Sequence, residues 1–367
     1  MSLNLELSSC VRASAIASGC TKCIDICPTK AIEFAPHLPA FTPEMCVECG
    51  GCVGVCPTSA FSLSNFSTIN FSFSHFESPT VLSCKTNIPC LSLFSAEELV
   101  SLALGSEQQL NLDIGHCSSC EIASTLYPQI MHNVQEANFI LSTFSTKKID
   151  TANLQIEPSD KESAGGTRRD FLNLLKPESL ARQKAMFDEQ VASDDLKIFE
   201  FDANIISKIK NKNIPDKRKL LFAILKREPK PQNYETIESV DISFTSQKYI
   251  DEKCTNCQMC HRICPTGALG SVSNFSQINF DSMLCVKCHL CHDVCEPDAI
   301  HIQPTFELRE FFEPSQRLLA KFDIKRCVEC GNQFTCKDNE TTCQRCQTEE
   351  DEATQLHQNA RKLEESK

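Results

Sequence analysis

The cysteine spacing between residues 254 and 295 constrains this chain more than any other feature. The pattern C-x2-C-x2-C-x3-C occurs there twice. Its eight cysteines are Cys254, Cys257, Cys260, Cys264, Cys285, Cys288, Cys291 and Cys295. Three cysteines separated by two residues can lie on one tight loop and supply three of the four thiolates that a [4Fe–4S] cube needs, whereas the fourth cysteine points away from that cube. The repeat therefore predicts two iron–sulfur sites that fold together.

Two other interpretations of closely spaced cysteines fit this pattern less well. A disulfide framework requires an oxidising compartment, whereas the 25 cysteines of this chain cluster at metal-ligand spacings that suit a reducing cytosol. Zinc motifs pair two C-x2-C units and lack both the third cysteine and the proline that follows Cys264. The spacing thus favours iron–sulfur clusters in a cytoplasmic protein.

Residues 246–305 closely resemble bacterial-type ferredoxins that carry two [4Fe–4S] clusters. The resemblance implies a small α+β module with two short hairpins and two helices around the clusters. In two-cluster ferredoxins the fourth cysteine of each motif binds the cluster of the other motif. The implied ligand sets are Cys254, Cys257, Cys260 and Cys295 for one cluster, and Cys264, Cys285, Cys288 and Cys291 for the other. One departure is Glu296 at the usual proline position, which changes the stiffness of the loop and leaves the ligand in place.

A second module of this kind is predicted over residues 1–65, and its first motif is irregular. Ala17 occupies the position of the first cysteine, and the nearest earlier thiol is Cys10. If the fourth cysteine of each motif binds the cluster of the other motif, as in the family, one ligand set is Cys27, Cys46, Cys49 and Cys52. The second set then has only three ligands, Cys20, Cys23 and Cys56. Cys10 completes this second set if residues 11–19 return to the site. The alternatives are an open iron, a [3Fe–4S] cluster, and a Cys10 that binds nothing.

Residues 66–157 are predicted to form a small parallel α/β unit between the two modules. Strand patterns at 69–73, at "TVLSC", at "QLNLDIG" and at "TANLQIE" alternate with a capped helix at 95–105 and with a longer helix interrupted near Pro128. Four cysteines follow the strands, where α/β folds place functional loops: Cys84, Cys90, Cys117 and Cys120. They could bind a metal as a C-x5-C and C-x2-C pair, Cys117 and Cys120 could form a redox dithiol, or all four could be structural.

Residues 158–245 contain no cysteine and are predicted to be a charged linker, whose short helical pieces could pack across the two ferredoxin modules. The segment "GGTRRDFLNLL" at 165–175 has the letters of a twin-arginine export signal. It is interior and lacks a following apolar run, so we predict instead that Thr167 caps a helix.

The region 320–350 has a different cysteine pattern, that of a zinc ribbon. Two C-x2-C units supply Cys327, Cys330, Cys343 and Cys346. Four sulfurs in this arrangement suit a tetrahedral zinc ion, and neither unit has the third cysteine that a cluster motif needs. Cys336 is a spare or an alternative ligand. The flanks are acidic, which favours a structural or protein-binding role, and residues 351–367 are predicted to be a polar, helical tail.

The predicted fold class is therefore α+β, with two ferredoxin-like modules, an α/β unit between them and a zinc-ribbon-like knuckle. A net charge of −12 argues against nucleic-acid binding, and no apolar run approaches the ~20 residues that span a bilayer. The chain has no Gly-rich nucleotide loop and no radical-SAM triplet. These features predict an electron carrier with about four [4Fe–4S] clusters and a zinc ion rather than an enzyme.

The combination of motifs also resembles a group of bacterial multi-domain iron–sulfur proteins. The residues that carry this resemblance are the irregular first motif with "CTKCIDICP", the middle cysteine pairs, the interior "RRDFL" and the carboxy-terminal knuckle. Such proteins are encoded beside formate dehydrogenases and related molybdenum or hydrogenase enzymes. The resemblance implies either an electron shuttle for such an enzyme or an assembly factor that binds its apo form.

Overall fold

The computed structural model describes residues 3–154, 212–336 and 338–365. The predicted helix beginning at Thr167, and the part of the predicted linker before residue 212, lie outside these ranges. No helix within them is both long and apolar enough to cross a lipid bilayer.

The first module consists of two antiparallel strand pairs and three short helices. Its strands are β1 (Leu3–Leu5), β2 (Ile32–Phe34), β3 (Pro39–Phe41) and β4 (Phe61–Leu63), and its helices are α1 (Val11–Ser14), α2 (Lys22–Asp25) and α3 (Gly51–Val55). Strand β1 pairs with β4, and β2 pairs with β3. The β1–β4 pair joins the two ends of the module, so that the cysteine loops before α2 and α3 lie between the two strand pairs.

The middle unit is an α/β arrangement with a parallel strand pair. Its elements are α4 (Thr68–Glu77), α5 (Ala96–Gly105), β5 (Leu110–Asp113), α6 (Ala123–Ser142) and β6 (Ile149–Ala152). Strands β5 and β6 are parallel, and Leu82 adds an isolated parallel bridge to Leu112 of β5. The predicted capped helix is confirmed, because the Ser95 side chain accepts from the Glu98 N–H while the Glu98 carboxylate accepts from the Ser95 N–H.

The predicted strand at residues 69–73 is wrong. These residues belong to helix α4, which begins where the Ser67 hydroxyl accepts a hydrogen bond from the Asn70 N–H at 3.3 Å. The Phe71 ring packs against Phe66 and Phe94 at centroid distances of 5.6 Å. A capped start and an aromatic face on the core therefore outweigh the strand-like alternation of the sequence.

Two further predictions for this unit need correction. Pro128 lies inside α6 and does not interrupt it, since Leu126, Ile130 and Val134 pack in the core on both sides of the proline. Tertiary packing here outweighs the backbone hydrogen bond that a proline removes. The segment "TVLSC" makes only the Leu82 bridge instead of a full strand.

Residues 212–245, the described part of the predicted linker, pack into the core. Helix α7 (Asp216–Leu225) buries most of its length, and strand β7 (Thr236–Glu238) pairs with a strand beyond the second module. Lys217 and Arg218 of α7 are both buried despite their charge. Lys217 Nζ donates to the carbonyl oxygen of Cys56 at 2.7 Å, and Arg218 Nη1 donates to that of Cys285 at 2.7 Å. Helix α7 thus joins the two modules at the backbone of a cysteine in each.

The second module repeats the first and is followed by the knuckle. Its elements are β8 (Lys248–Ile250), α8 (Met259–Ile263), β9 (Leu269–Ser271), β10 (Gln277–Asp281), α9 (Leu290–Asp293) and β11 (Ile300–Ile302). The chain then continues through β12 (Thr305–Glu307), α10 (Arg309–Phe312), β13 (Gln316–Lys321), β14 (Asp323–Arg326), β15 (Gln333–Cys336) and α11 (Gln344–Glu365). Strand β8 pairs with β11, β10 lies between β9 and β13, β12 pairs with β7, and β14 pairs with β15, all antiparallel.

One continuous set of buried apolar side chains spans the first module, the middle unit, α7 and the second module. Arg218 lies inside it without solvent exposure and donates to the Glu97 carboxylate of α5. Its guanidinium also donates to the carbonyl oxygens of Phe244, Met283 and Cys285. A buried charge is tolerated only when it is paired and hydrogen-bonded, as it is here. The knuckle has a separate small core around its own cysteines.

Candidate metal centres

Two pockets of the second module are each lined by four cysteines. One contains Cys254, Cys257, Cys260 and Cys295, and the other contains Cys264, Cys285, Cys288 and Cys291. Each pocket therefore combines three sulfurs of one motif with the fourth sulfur of the other, as the ferredoxin resemblance implied. Burial raises the pKa of Cys260 to about 12, and the negative charge of Cys291 acts in the same direction. Buried thiols that oppose one another's ionisation fit a group that supplies compensating positive charge.

The backbone of the complete motifs explains why three sulfurs face one pocket. The residues before and after the second cysteine have positive φ angles in all three complete motifs: Glu48 and Gly50, Asn256 and Gln258, and Lys287 and His289. Left-handed residues on both sides of one cysteine reverse the chain direction within a few residues. The short sequence between the first and third cysteines can then wrap around a compact group.

The fourth cysteine of each motif also has a recurrent turn. Three residues after it the backbone is left-handed, at Lys30, Ser59, Gly267 and Asp298. The next N–H donates to the cysteine sulfur at 3.2 Å in three of these turns, from Ala31 to Cys27, from Ala60 to Cys56 and from Ala299 to Cys295. The unusual Glu296 therefore leaves both the turn and the donor intact. Hydrogen bonds to ligand sulfurs tune the reduction potential of a cluster.

The first module has a matching pocket lined by Cys27, Cys46, Cys49 and Cys52. Burial raises the pKa of Cys52, and the charges of Cys49 and Cys23 add to this effect. Because Cys23 belongs to the other predicted set, the two sets of this module lie side by side.

The structure brings Cys10 to the irregular motif. Helix α1 begins directly after Cys10, and Arg12 Nη1 donates to the carbonyl oxygen of Cys20 at 3.0 Å. The bond from Arg12 to Cys20 closes residues 11–19 into a loop. Arg12 Nε also donates to the carbonyl oxygen of His37 at 2.7 Å and so fixes this loop to the module. Burial, together with the charges of Cys20, Cys56 and Cys10, raises the pKa of Cys23 to about 12. Cys10, Cys20 and Cys56 therefore all lie within electrostatic range of Cys23. The backbone differs from the complete motifs, because Thr21 has a φ of −123° where they have a positive angle.

The knuckle places four sulfurs much closer together. The Sγ atoms of Cys327, Cys330, Cys343 and Cys346 all lie within 4.8 Å of one another. The Sγ atoms of Cys327 and Cys346 are 3.8 Å apart, and those of Cys330 and Cys343 are 3.7 Å apart. Sulfurs on a tetrahedral zinc ion, with Zn–S bonds of about 2.3 Å, are about 3.8 Å apart. Backbone N–H groups of Cys330 and Cys343 lower the pKa of Cys327 to about 6, which favours the thiolate that zinc requires. Cys336 is outside this group, and its thiol faces the carbonyl oxygen of Glu340.

The two modules meet at the irregular motif. The N–H of Gly19, beside Cys20, donates to Asp293 Oδ2 of helix α9 at 3.1 Å. Burial and the positive charges of Lys248 and Lys22 lower the pKa of His289, so Lys22 lies near the loop that carries Cys288. Nothing in the spacing of the sequence indicated this contact. The sequence also did not indicate the buried hydrogen bonds from Lys217 and Arg218 of α7, because their acceptors are backbone carbonyl oxygens far away in the chain.

Two family models match the chain. A model described as "4Fe-4S dicluster domain" matches residues 18–60, and one described as "4Fe-4S binding domain" matches residues 248–270. The chain contains two 4Fe–4S ferredoxin-type domains. No curated protein and no solved structure matches it. The matches agree with the iron–sulfur prediction for both modules and do not extend to the middle unit or to the knuckle.

Proposed function

We propose that this protein transfers electrons along a row of [4Fe–4S] clusters that crosses both modules. When bound, such clusters exchange single electrons. The chain contributes the thiolates, the backbone N–H donors to sulfur, and burial from water, which together set the potentials.

The proposed ligands form four sets of four cysteines. In order along the row they are Cys27, Cys46, Cys49 and Cys52; Cys10, Cys20, Cys23 and Cys56; Cys264, Cys285, Cys288 and Cys291; and Cys254, Cys257, Cys260 and Cys295. Within the first module Cys23 acts electrostatically on Cys52, and within the second Cys291 acts on Cys260. Each module therefore supports transfer between its own two sets.

The contact between Gly19 and Asp293 is the observation that carries the proposal. It joins the residue before Cys20 to Asp293, which lies midway between Cys291 and Cys295 in the chain. Lys22 also acts electrostatically on His289, the neighbour of Cys288, which supports neighbouring inner sets in the two modules. Helix α7 and the common core hold the two modules together, and this contact lies where the inner sets approach each other. It supports a continuous series of four sets through the protein.

A redox titration of the anaerobically purified chain, followed by EPR, tests the function. We expect reversible uptake of about four electrons per chain by the four sets, one for each [4Fe–4S] cluster. Iron that is present but cannot be reduced and reoxidised without loss would contradict an electron-transfer role.

We propose that the knuckle binds zinc through Cys327, Cys330, Cys343 and Cys346 and serves a structural role. The Asn256 side chain, in the loop between Cys254 and Cys257, donates to the Thr335 hydroxyl of β15 at 2.9 Å. A folded knuckle therefore covers the outer loop of the second module.

The proposed partner is a larger redox enzyme, of the kind that includes formate dehydrogenases and related molybdenum or hydrogenase enzymes. The resemblance of the motifs supports this choice. Deletion of the gene for this protein distinguishes the two possible roles, electron shuttle and assembly factor. Loss of a shuttle leaves the partner enzyme active with artificial dyes, whereas loss of an assembly factor leaves it inactive in the same assay.

A further inference from the structure

We propose that Cys84, Cys90, Cys117 and Cys120 of the middle unit bind an additional iron–sulfur cluster. The site itself is independent of the proposed function, whereas its role as an extension of the row rests on that function.

The strand arrangement brings the two cysteine pairs to one edge. The Leu82 N–H donates to the carbonyl oxygen of Asn111 at 3.0 Å, and the Asp113 N–H donates to that of Leu82 at 2.9 Å. The Ser83 hydroxyl donates to Asp113 Oδ2 at 2.7 Å. The segments that lead to Cys84 and to Cys117 are therefore parallel neighbours that leave the sheet at the same end.

Tight turns then hold the four thiols near this edge. The Cys117 N–H donates to the carbonyl oxygen of Ile114 at 3.0 Å, and Cys120 follows one short 3-10 turn later. Asn87 Oδ1 accepts from the Ser83 N–H at 3.0 Å and closes the turn that contains Cys84. Burial raises the pKa of Cys117 to about 11, and the charges of Cys90, Cys84 and Cys120 act in the same direction, so these three sulfurs lie near that of Cys117.

The spacing of these four sulfurs fits an iron–sulfur cluster better than a single zinc ion. Among the residues that the structure describes, the knuckle is the only group of three or more potential ligands whose atoms all lie within 4.8 Å. The middle thiols are therefore more widely spaced than a zinc ion with sulfurs about 3.8 Å apart requires. The four ferredoxin-type sets show the same wider spacing. A cluster of several irons needs ligands that are farther apart than those of one ion.

The middle site also lies directly beside the first module. Cys90 precedes a 3-10 turn, Leu91–Leu93, which packs against the helix α3 that carries Cys52. A Cβ atom on Gly54 of this helix would lie 2.2 Å from the carbonyl oxygen of Ser92, so the close approach requires glycine. Burial raises the pKa of Cys49 to about 11, and the charge of Cys90 adds to the increase. The additional site thus neighbours the set that contains Cys49, at the outer end of the proposed row.

Iron, acid-labile sulfide and zinc content of the full chain, purified without oxygen, tests the proposal. We compare the native protein with the double variant Cys84→Ser/Cys117→Ser and with Cys336→Ser, a matched control that replaces a free cysteine outside every set. The double variant should lose iron and sulfide together, about two irons for a [2Fe–2S] or about four for a [4Fe–4S] cluster, while zinc stays constant. The control should keep all three at native levels.

Unchanged iron in the double variant, or loss of zinc in place of iron, would overturn the proposal. If the double variant does not fold, the native protein decides the question. More than about sixteen irons per chain supports an additional cluster, and sixteen or fewer contradicts it. A failure of electron transfer between the modules would refute the row while leaving this iron count unaffected, so the two proposals fail separately.

Discussion

Replacement of Arg218 by methionine should release the two modules from each other. The guanidinium has no solvent exposure and pairs with Glu97, whose side chain is 1% exposed. The substitution leaves the Glu97 carboxylate buried without its counter-charge, a defect that typically costs about 3–5 kcal/mol. It also leaves the carbonyl oxygens of Phe244, Met283 and Cys285 without their hydrogen-bond donor, which adds to this cost. We therefore expect a loss of at least about 4 kcal/mol in the free energy of opening between α5, α7 and the second module.

Native-state hydrogen exchange on the anaerobic holoprotein measures this opening without complete unfolding, which clusters can make irreversible. A change of about 4 kcal/mol corresponds to roughly 1,000-fold faster exchange of the most protected amides of α5 and α7. Lys219→Met is the matched control, because Lys219 is the next residue of α7 and pairs with the half-exposed Asp216 at 2.8 Å. We expect less than about 1 kcal/mol for this surface pair. Equal exchange in the two variants would show that Arg218 is not what holds the modules together.

Three further predictions concern separate parts of the molecule. Cys10→Ala should give a new [3Fe–4S] EPR signal after exposure to air, because the set of Cys20, Cys23 and Cys56 then lacks its fourth sulfur; the same signal in the native protein would mean that Cys10 is not a ligand. A truncation that ends at Phe322, after β13, should lose the zinc and keep the iron of both modules, and retention of zinc would place that metal elsewhere. Burial raises the pKa of Asp281 from 3.8 to about 7, so the folded protein holds a proton that the unfolded chain releases, and stability should fall by up to about 4 kcal/mol as the pH rises from 4 to 7. Thermal unfolding between pH 4 and pH 7 should show this decrease in the native protein and not in Asp281→Asn, and equal pH profiles would refute the assignment.

The cysteine sets of the second module could be predicted because the constraint is local in the chain. Three ligands on one loop must share a pocket, and the family supplies the partner of the fourth. The loop that returns Cys10 was only one of several alternatives in the sequence. It depends on the contact of Arg12 with Cys20 and His37, which no spacing pattern encodes.

Distant contacts outweigh local pattern elsewhere as well. The sequence does not indicate which charged residues of α7 are buried, since Arg218 binds the backbone of Cys285, 67 residues later. The alternating phenylalanines at 69–73 suit a strand and an aromatic helix face equally well. Packing of Phe71 against Phe94 decides between them, and that contact is visible only in the folded chain.

The EPR spectrum of the fully reduced protein tests the continuous row most directly. Neighbouring reduced clusters broaden and split each other's signals through spin coupling. Cys288→Ser removes a ligand from the inner set of the second module, and Cys257→Ser, its matched control, removes one from the outer set. We predict that Cys288→Ser simplifies the signals of the first module more than Cys257→Ser does, because Lys22 of the first module lies near His289, the neighbour of Cys288. First-module signals that are identical in the native protein and in Cys288→Ser would contradict a row that crosses from one module to the other.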